Sequence, residues 1–357
     1  MRPEALRLNP PEPFALQMKG IFGSGVVDSV RPVGLPRALM CAHIPRASGD
    51  PAGVPPAGGA WRVVRVGVGL TVALLGLGLH AATLGFGDGV NLQPSYFNAG
   101  QVDFGWKLMR AQPRIQTVRV EIEPSIPIGT AKRWLTEAQA QGYGVIATYH
   151  HARFNGSDSV EELLNAAKWW RANYGALRET GPLTINLMNE WGSHKQRPQS
   201  FADAYNQAIK LVREVYDGPI VVDIPGWAQE THVAREAATL IEDTNIIFSV
   251  HIYASGWVEY GPRHWMTTAD LDALEASGRP VLVGEFGGRR KGRADWSALV
   301  DHARAKGWTL LAWAWNGDGE GMNMVRPTWS EKPQATRFSP SSYFRQVYSK
   351  LREPKRK

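Results

Sequence analysis

Cysteine is nearly missing from this 357-residue chain: Cys41 stands alone, so no internal disulfide can form and a Cys-rich zinc site is excluded. Concentrated charge is scarce as well. Asp, Glu, Lys and Arg make up 20% of the residues, and the formal net charge of +7 is scattered except in RRKGR (289–293) and KLREPKRK (350–357). Scattered cations argue against a nucleic-acid partner. The uncharged apolar run 66–79 is too short for a comfortable membrane span. No Gly-rich phosphate loop follows the first strand candidate, which removes the main support for a doubly wound open sheet. The first strand candidate, GVNLQ, also lacks a His-x-His pair. That weighs against a metal-dependent barrel hydrolase with ligands among His150, His151, His194 and His251.

What is present divides near residue 83. Residues 1–60 are rich in Pro, Gly, Ala and Arg without a sustained period, as in NPPEP and GDPAGVPPAGGA, and read as a disordered or non-mature extension. Residues 61–83 combine Arg62 and Arg65 with the apolar run and then Ala81 and Ala82, the pattern of a signal-peptide core. Against a simple signal stand the sixty preceding residues and the bulky Leu79 or His80 where a small residue is wanted. A later translation start would resolve the first point; an uncleaved anchor, or a buried apolar strand or helix, are the alternatives. The expected location is therefore secreted or periplasmic, or membrane-anchored if the segment is retained.

Residues 84–352 alternate short apolar runs with helical periods, followed by a basic tail at 353–357. Eight strand candidates are GVNLQ (89–93), TVRVEI (117–122), GVIATYH (144–150), LTINLMN (183–189), PIVVDI (219–224), IIFSVHIY (246–253), PVLVGEF (280–286) and TLLAWAW (309–315). Helical segments at 129–141, 159–173, 200–215, 230–241, 267–277, 294–306 and 341–351 fill most of the gaps. Eight β-then-α units over this length predict a (β/α)8 TIM barrel.

Alternation places side chains by parity. In the fourth strand Leu183, Ile185 and Leu187 share the helix-facing side, and Thr184, Asn186, Met188 and Glu190 the barrel-facing one. The same rule groups Thr117, Arg119 and Glu121; Thr148 and His150; Ser249, His251 and Tyr253; Val281, Val283 and Glu285; Leu311, Trp313 and Trp315. The polar members gather at strand C-terminal ends, the catalytic rim of such a barrel. Fourteen Trp are a heavy load for the length, and indoles pack well on sugar faces.

MNEWGSH (188–194), HIYASGW (251–257), VLVGEFGG (281–288) and LLAWAWNGDG (310–319), in this order, resemble the retaining β-glycosidases with eightfold barrels, and glycoside hydrolase family 5 in particular. PGWAQ (225–229) strengthens the similarity to bacterial β-mannanases and endoglucanases. The resemblance implies Glu190 as acid/base and Glu285 as nucleophile, with Arg119 and Tyr253 holding Glu285 ionised. It further implies Asn189 at the sugar 2-OH, His150 and His251 as positioning residues, and Trp313 as the floor under the cleaved sugar. Parity favours His150 over its neighbour His151. Trp191, Trp257 and Trp315 are further candidates for the sugar platform, and Arg119 has an alternative as a structural partner of Glu121. RRKGR reads either as a solvated loop or as a subsite for an acidic decoration.

The expected protein is a retaining endo-β-1,4-glycanase acting on a polysaccharide or oligosaccharide. It works as a monomer with no cofactor, metal or nucleic-acid partner, and any membrane contact lies within residues 61–83. An inactive carbohydrate-binding barrel is the main competing reading, since fold alone does not establish activity.

Overall fold

The computed structural model describes residues 86–354 apart from 262, 289, 290 and 320. The extension at 1–60, the apolar segment at 61–83, the first two residues of the RRKGR stretch and residues 355–357 lie outside the described residues.

Eight parallel strands close into a barrel: β1 Gly89–Leu92, β2 Thr117–Ile122, β3 Gly144–Tyr149, β4 Thr184–Asn186, β5 Ile220–Asp223, β6 Ile246–Tyr253, β7 Val281–Gly287 and β8 Thr309–Asn316. Each pairs with its chain neighbours, and β1 pairs with both β2 and β8, which closes the ring. Helices follow the strands: α1 Trp106–Arg110, α2 Ile128–Ala140, α3 Val160–Leu177, α4 Pro198–Arg213, α5 Thr231–Ala237, α6 Thr268–Glu275, α7 Trp296–Ala305 and α8 Phe344–Tyr348. Local chemistry fixes several starts. Ser159 accepts from the Glu162 N–H ahead of α3, with Glu161 and Glu162 in the first turn where the helix dipole favours negative charge. Thr267 and Asp270 form a capping box on α6, and Asp295 caps α7 by accepting from Ala298 N–H.

The helix shell buries the larger side chains, among them Trp134, Trp170, Phe201 and Tyr205. The barrel axis is filled separately by Ile146, Val221, Ile247, Leu282 and Leu311, one from each of five strands. At the N-terminal end of the barrel the Asp88 carboxylate accepts from Leu310 N at 3.0 Å and from Arg352 N and Nε at 2.8 and 3.0 Å, fastening the C-terminal segment across the β1–β8 seam.

Two parity expectations are corrected. In β7 it is Leu282 that points to the axis, while Val281 and Val283 pack in the main hydrophobic cluster. Register slips against both neighbours, Val250↔Val283 being followed by His251↔Glu285 and Leu310↔Val283 by Ala312↔Phe286. The bulge at Gly284 thus returns Glu285 to the inside. A side chain there has no room, because a Cβ on Gly284 would lie 2.2 Å from Ser249 Oγ. In β4 the ladder ends at Asn186 rather than residue 189, and Met188 packs in the hydrophobic cluster instead of lining the barrel. Short elements absent from the sequence reading include α1 and two small hairpins, Trp257–Val258 with His264–Trp265 and Val325–Arg326 with Ser339–Pro340. The last helical segment shrinks from 341–351 to Phe344–Tyr348.

Candidate active site

Arg119, from the middle of β2, is fully buried and organises the C-terminal mouth of the barrel. Its Nη1 donates to Glu121 Oε1 (2.8 Å), Asn91 Oδ1 (2.9 Å) and Glu285 Oε1 (3.1 Å). Nη2 donates to Asn189 Oδ1 (2.7 Å) and Asp223 Oδ2 (3.4 Å), and Nε to Asn186 Oδ1 (2.9 Å). Burial disfavours the guanidinium charge, but Asp223, Glu121, Glu285 and Glu190 outweigh it and raise its pKa above the ordinary value. Both sequence-level alternatives for Arg119 hold at once: it pairs with Glu121 and with Glu285.

Glu285, at the β7 bulge, receives a second hydrogen bond from Tyr253 Oη to Oε2 at 2.6 Å. Charge-assisted bonds of this kind favour the ionised carboxylate. Glu190 faces it from the turn after β4. Its Oε1 lies 3.0 Å from His251 Nδ1, the same nitrogen that stands 3.5 Å from Glu285 Oε2. Glu190, His251 and Glu285 each place a donor atom within 4.8 Å of the others. A divalent ion could use such a spacing, yet Arg119 already supplies a cation to Glu285. The four histidines weighed as metal ligands are dispersed: His150 lies beside Glu121 and Glu123, His151 beside Glu162, His194 beside Glu230, and His251 between Glu190 and Glu285.

β4 ends at Asn186, and the backbone turns at Asn189 and Glu190 without a glycine. Glu190 has φ 47°, a left-handed conformation that costs a non-glycine side chain on the order of 1 kcal/mol or more. The surroundings hold it there, with Glu190 N–H donating to Asp223 Oδ2 at 2.9 Å and Glu190 C=O accepting from Gly156 N at 2.7 Å. The turn lets consecutive residues serve different places. Asn189 and Glu190 both reach the site, while Trp191 is fully buried against Phe201 and Tyr205 with its N–H on Ser159 O.

His150 enters the site from the end of β3, its Nε2 3.3 Å from Glu121 and its Nδ1 2.5 Å from Tyr96 Oη. Burial works against its charge, but Glu121 and Glu123 prevail and hold its pKa up at about 9. Burial pushes Glu121 up to about 7, against the pull of His150 and Arg119. His251 is likewise raised: burial opposes protonation, and Glu285, Asp223 and Glu190 overcome it. Asn189 spends its amide oxygen on Arg119, which leaves its amide NH2 group uncommitted by that contact.

Trp313 of β8 is nearly buried, with Nε1 donating to Asp318 Oδ1 at 2.8 Å. Trp257 and Trp315 are enclosed, Trp257 against Trp265 and Trp315 with its N–H on Phe104 O; with Trp191 they are packing residues and not an exposed sugar platform. Lys291 and Arg293 of the basic loop are exposed.

Three site residues escaped the sequence reading. Asp223 ends β5 on the same parity as Val221, so the rule applied to the other strands would have found it. Tyr96, from the 3-10 turn Pro94–Tyr96, and Glu123, just past β2, bond to each other and to His150 from segments that carry no periodic signal. In PGWAQ, Gly226, Trp227 and Ala228 are all left-handed, and Trp227 comes to rest 5.3 Å from the His194 ring.

The cellulase family (glycosyl hydrolase family 5) matches residues 110–319. A mannan endo-1,4-beta-mannosidase of Streptomyces lividans is 28% identical over 186 residues, 49% of this chain and 47% of that protein, so the chain spans about half the length of this curated relative. The mannanase catalytic domain of Streptomyces sp. SirexAA-E shares the fold at 22% identity and TM-score 0.59, covering 75% of this chain and 88% of its own. The β-mannanase of Streptomyces thermolilacinus with mannohexaose does so at 18% identity and TM-score 0.53, covering 74% and 88%. With the family matched over more than half its length, from before β2 into the loop beyond β8, the chain belongs to glycoside hydrolase family 5.

Proposed function

We propose that this protein is a retaining endo-β-1,4-glycanase whose first substrate to test is β-mannan, with β-glucan second. One observation carries the reading. Two carboxyls from different strand ends approach within 4.8 Å around His251, and only Glu285 is bonded by both Arg119 and Tyr253. This is the close spacing used in retention, where carboxyls stand about 5–5.5 Å apart across one sugar.

Glu285 attacks the anomeric carbon as Glu190 gives its proton to the departing glycosidic oxygen, forming a glycosyl ester. Water then attacks the same carbon, Glu190 takes the water proton, and Glu285 leaves as carboxylate. Asn189 offers its NH2 group to the 2-OH, where a hydrogen bond strengthens as positive charge grows on the ring. Trp313 forms the floor, and His150 and His251 keep the polar walls in place. The mannan preference follows the names of the Streptomyces relatives, one of them described with mannohexaose. We also propose export, from the signal-like pattern at 61–83; the N-terminus of secreted protein tests it.

Reducing-sugar release from mannan, glucomannan, carboxymethyl cellulose, xylan and galactan identifies the backbone. On the preferred polymer Glu285→Ala should be inactive. Glu190→Ala should regain turnover of an activated aryl glycoside when azide is added, because azide attacks without a base. No azide response would overturn the acid/base assignment, and no hydrolysis by the parent protein of any polymer would favour a binding module.

A further inference from the structure

We propose that Asp223 is a positioning residue for the acid/base, acting on Glu190 through its backbone and through His251. The proposal rests on the reading of Glu190 as acid/base.

Asp223 is fully buried at the end of β5, and what surrounds its carboxylate are donors. Oδ2 accepts Glu190 N–H at 2.9 Å and Arg119 Nη2 at 3.4 Å, and Oδ1 accepts Asn186 Nδ2 at 3.3 Å. The first bond lands on the residue with φ 47°. A backbone held off its relaxed conformation needs a partner that fixes it, and the carboxylate acts through the N–H of Glu190 itself.

The second route runs through the imidazole. His251 Nδ1 meets Glu190, and Nε2 lies 3.6 Å from Asp223 Oδ2 with no hydrogen-bond partner of its own among the described residues. At that distance the contact is one of charge, of the kind that tightens when substrate closes the site. An anion on the Nε2 side keeps a proton there and leaves Nδ1 to share its hydrogen bond with Glu190. The other charged groups around the ring are Glu285 from β7, 3.5 Å from Nδ1, and Arg119 from β2, which contacts both Asp223 and Glu285. Tyr253, on the same strand as His251, donates to Glu285.

Asp223→Asn keeps the shape and removes the charge. It also forces an NH2 group against a donor, Glu190 N–H on one side or Asn186 Nδ2 on the other. The discriminating measurement is leaving-group dependence. An activated 2,4-dinitrophenyl glycoside of the backbone disaccharide (β-mannobioside, or β-cellobioside if glucan is hydrolysed) needs no protonation to leave, whereas the polymer does. Expected for Asp223→Asn is a loss of roughly 100-fold in kcat/KM on polymer against less than about 10-fold on the aryl glycoside, the range general acid catalysis supplies. Azide should raise turnover of the aryl glycoside.

Equal losses on both substrates, or no loss, would overturn the proposal. Glu190→Ala is the control: if it discriminates between the substrates and Asp223→Asn does not, this proposal alone fails. If Glu190→Ala shows no leaving-group dependence, the acid/base reading fails and takes the proposal with it. Should Asp223→Asn not fold, His251→Gln removes the ring while leaving the carboxylate, and the same ratio of losses applies; equal losses there also overturn it.

Discussion

Tyr253 donates its hydroxyl to Glu285 Oε2 at 2.6 Å, on the opposite carboxylate oxygen from the one Arg119 reaches. The two donors between them fix both oxygens of the proposed nucleophile. Tyr253→Phe keeps the ring and deletes one charge-assisted bond, worth about 1.5–3 kcal/mol. The expected loss is about 10–100-fold in kcat/KM on polymer, with a melting temperature lower by several degrees. Steady-state kinetics beside a melting curve check it, and full activity in Tyr253→Phe would show that Arg119 alone suffices.

The bulge that aims Glu285 has a tight steric requirement. A Cβ on Gly284 would lie 2.2 Å from Ser249 Oγ and 3.0 Å from His251 Nε2. Gly284→Ala should therefore displace the nucleophile strand, cutting activity by more than about 100-fold and costing roughly 1–3 kcal/mol of stability. Adding Ser249→Ala removes the nearer clash and should restore part of both. Additive loss in the double variant would argue against this contact as the cause.

The sign of the pH dependence of stability follows from His150. Its pKa rises from 6.5 to about 9 on folding, so the native state holds a proton that the unfolded chain releases near 6.5. That contribution is complete below pH 6.5 and disappears as pH climbs through about 9. Glu121, raised from 4.5 to about 7, acts in the same direction at lower pH. Melting temperature should fall between pH 6.5 and 9, and fall less steeply in His150→Gln. A flat profile in the parent protein would contradict the buried pairing.

At the opposite end of the barrel, Asp88 ties β8 and the C-terminal segment to the strand it precedes. Asp88→Ala leaves the buried Leu310 N–H without its acceptor and Arg352 without its carboxylate. A loss of about 2–4 kcal/mol is expected, read as a melting point lower by several degrees. Below that transition kcat should be unchanged, because neither residue touches the site. A fall in kcat without a fall in melting temperature would refute this purely structural role.

Strand parity carried the sequence reading far because burial repeats with period two. Arg119, Asn186, His150, His251 and Tyr253 all come to the inside as alternation requires. It failed wherever the chain departs from regular extension. The extra residue at Gly284 reverses Val281 and Val283, and the left-handed Glu190 lets two successive residues face one site. Tryptophan number misled for a related reason: composition states how many indoles exist but not which are enclosed, and Trp191, Trp257 and Trp315 proved to be packing.

The sequence by itself determined the closed parallel barrel and the pair of glutamates at its rim, because hydrophobic periodicity and ordered motifs are local properties of the chain. Tertiary structure alone decided that Asp223 holds Glu190, that Glu121 and His150 form a buried pair, and that Tyr96 joins them. Those contacts link residues 33, 29 and 54 positions apart. Barrel closure brings such groups together, and the energy of a buried charge depends on every neighbour that closure supplies.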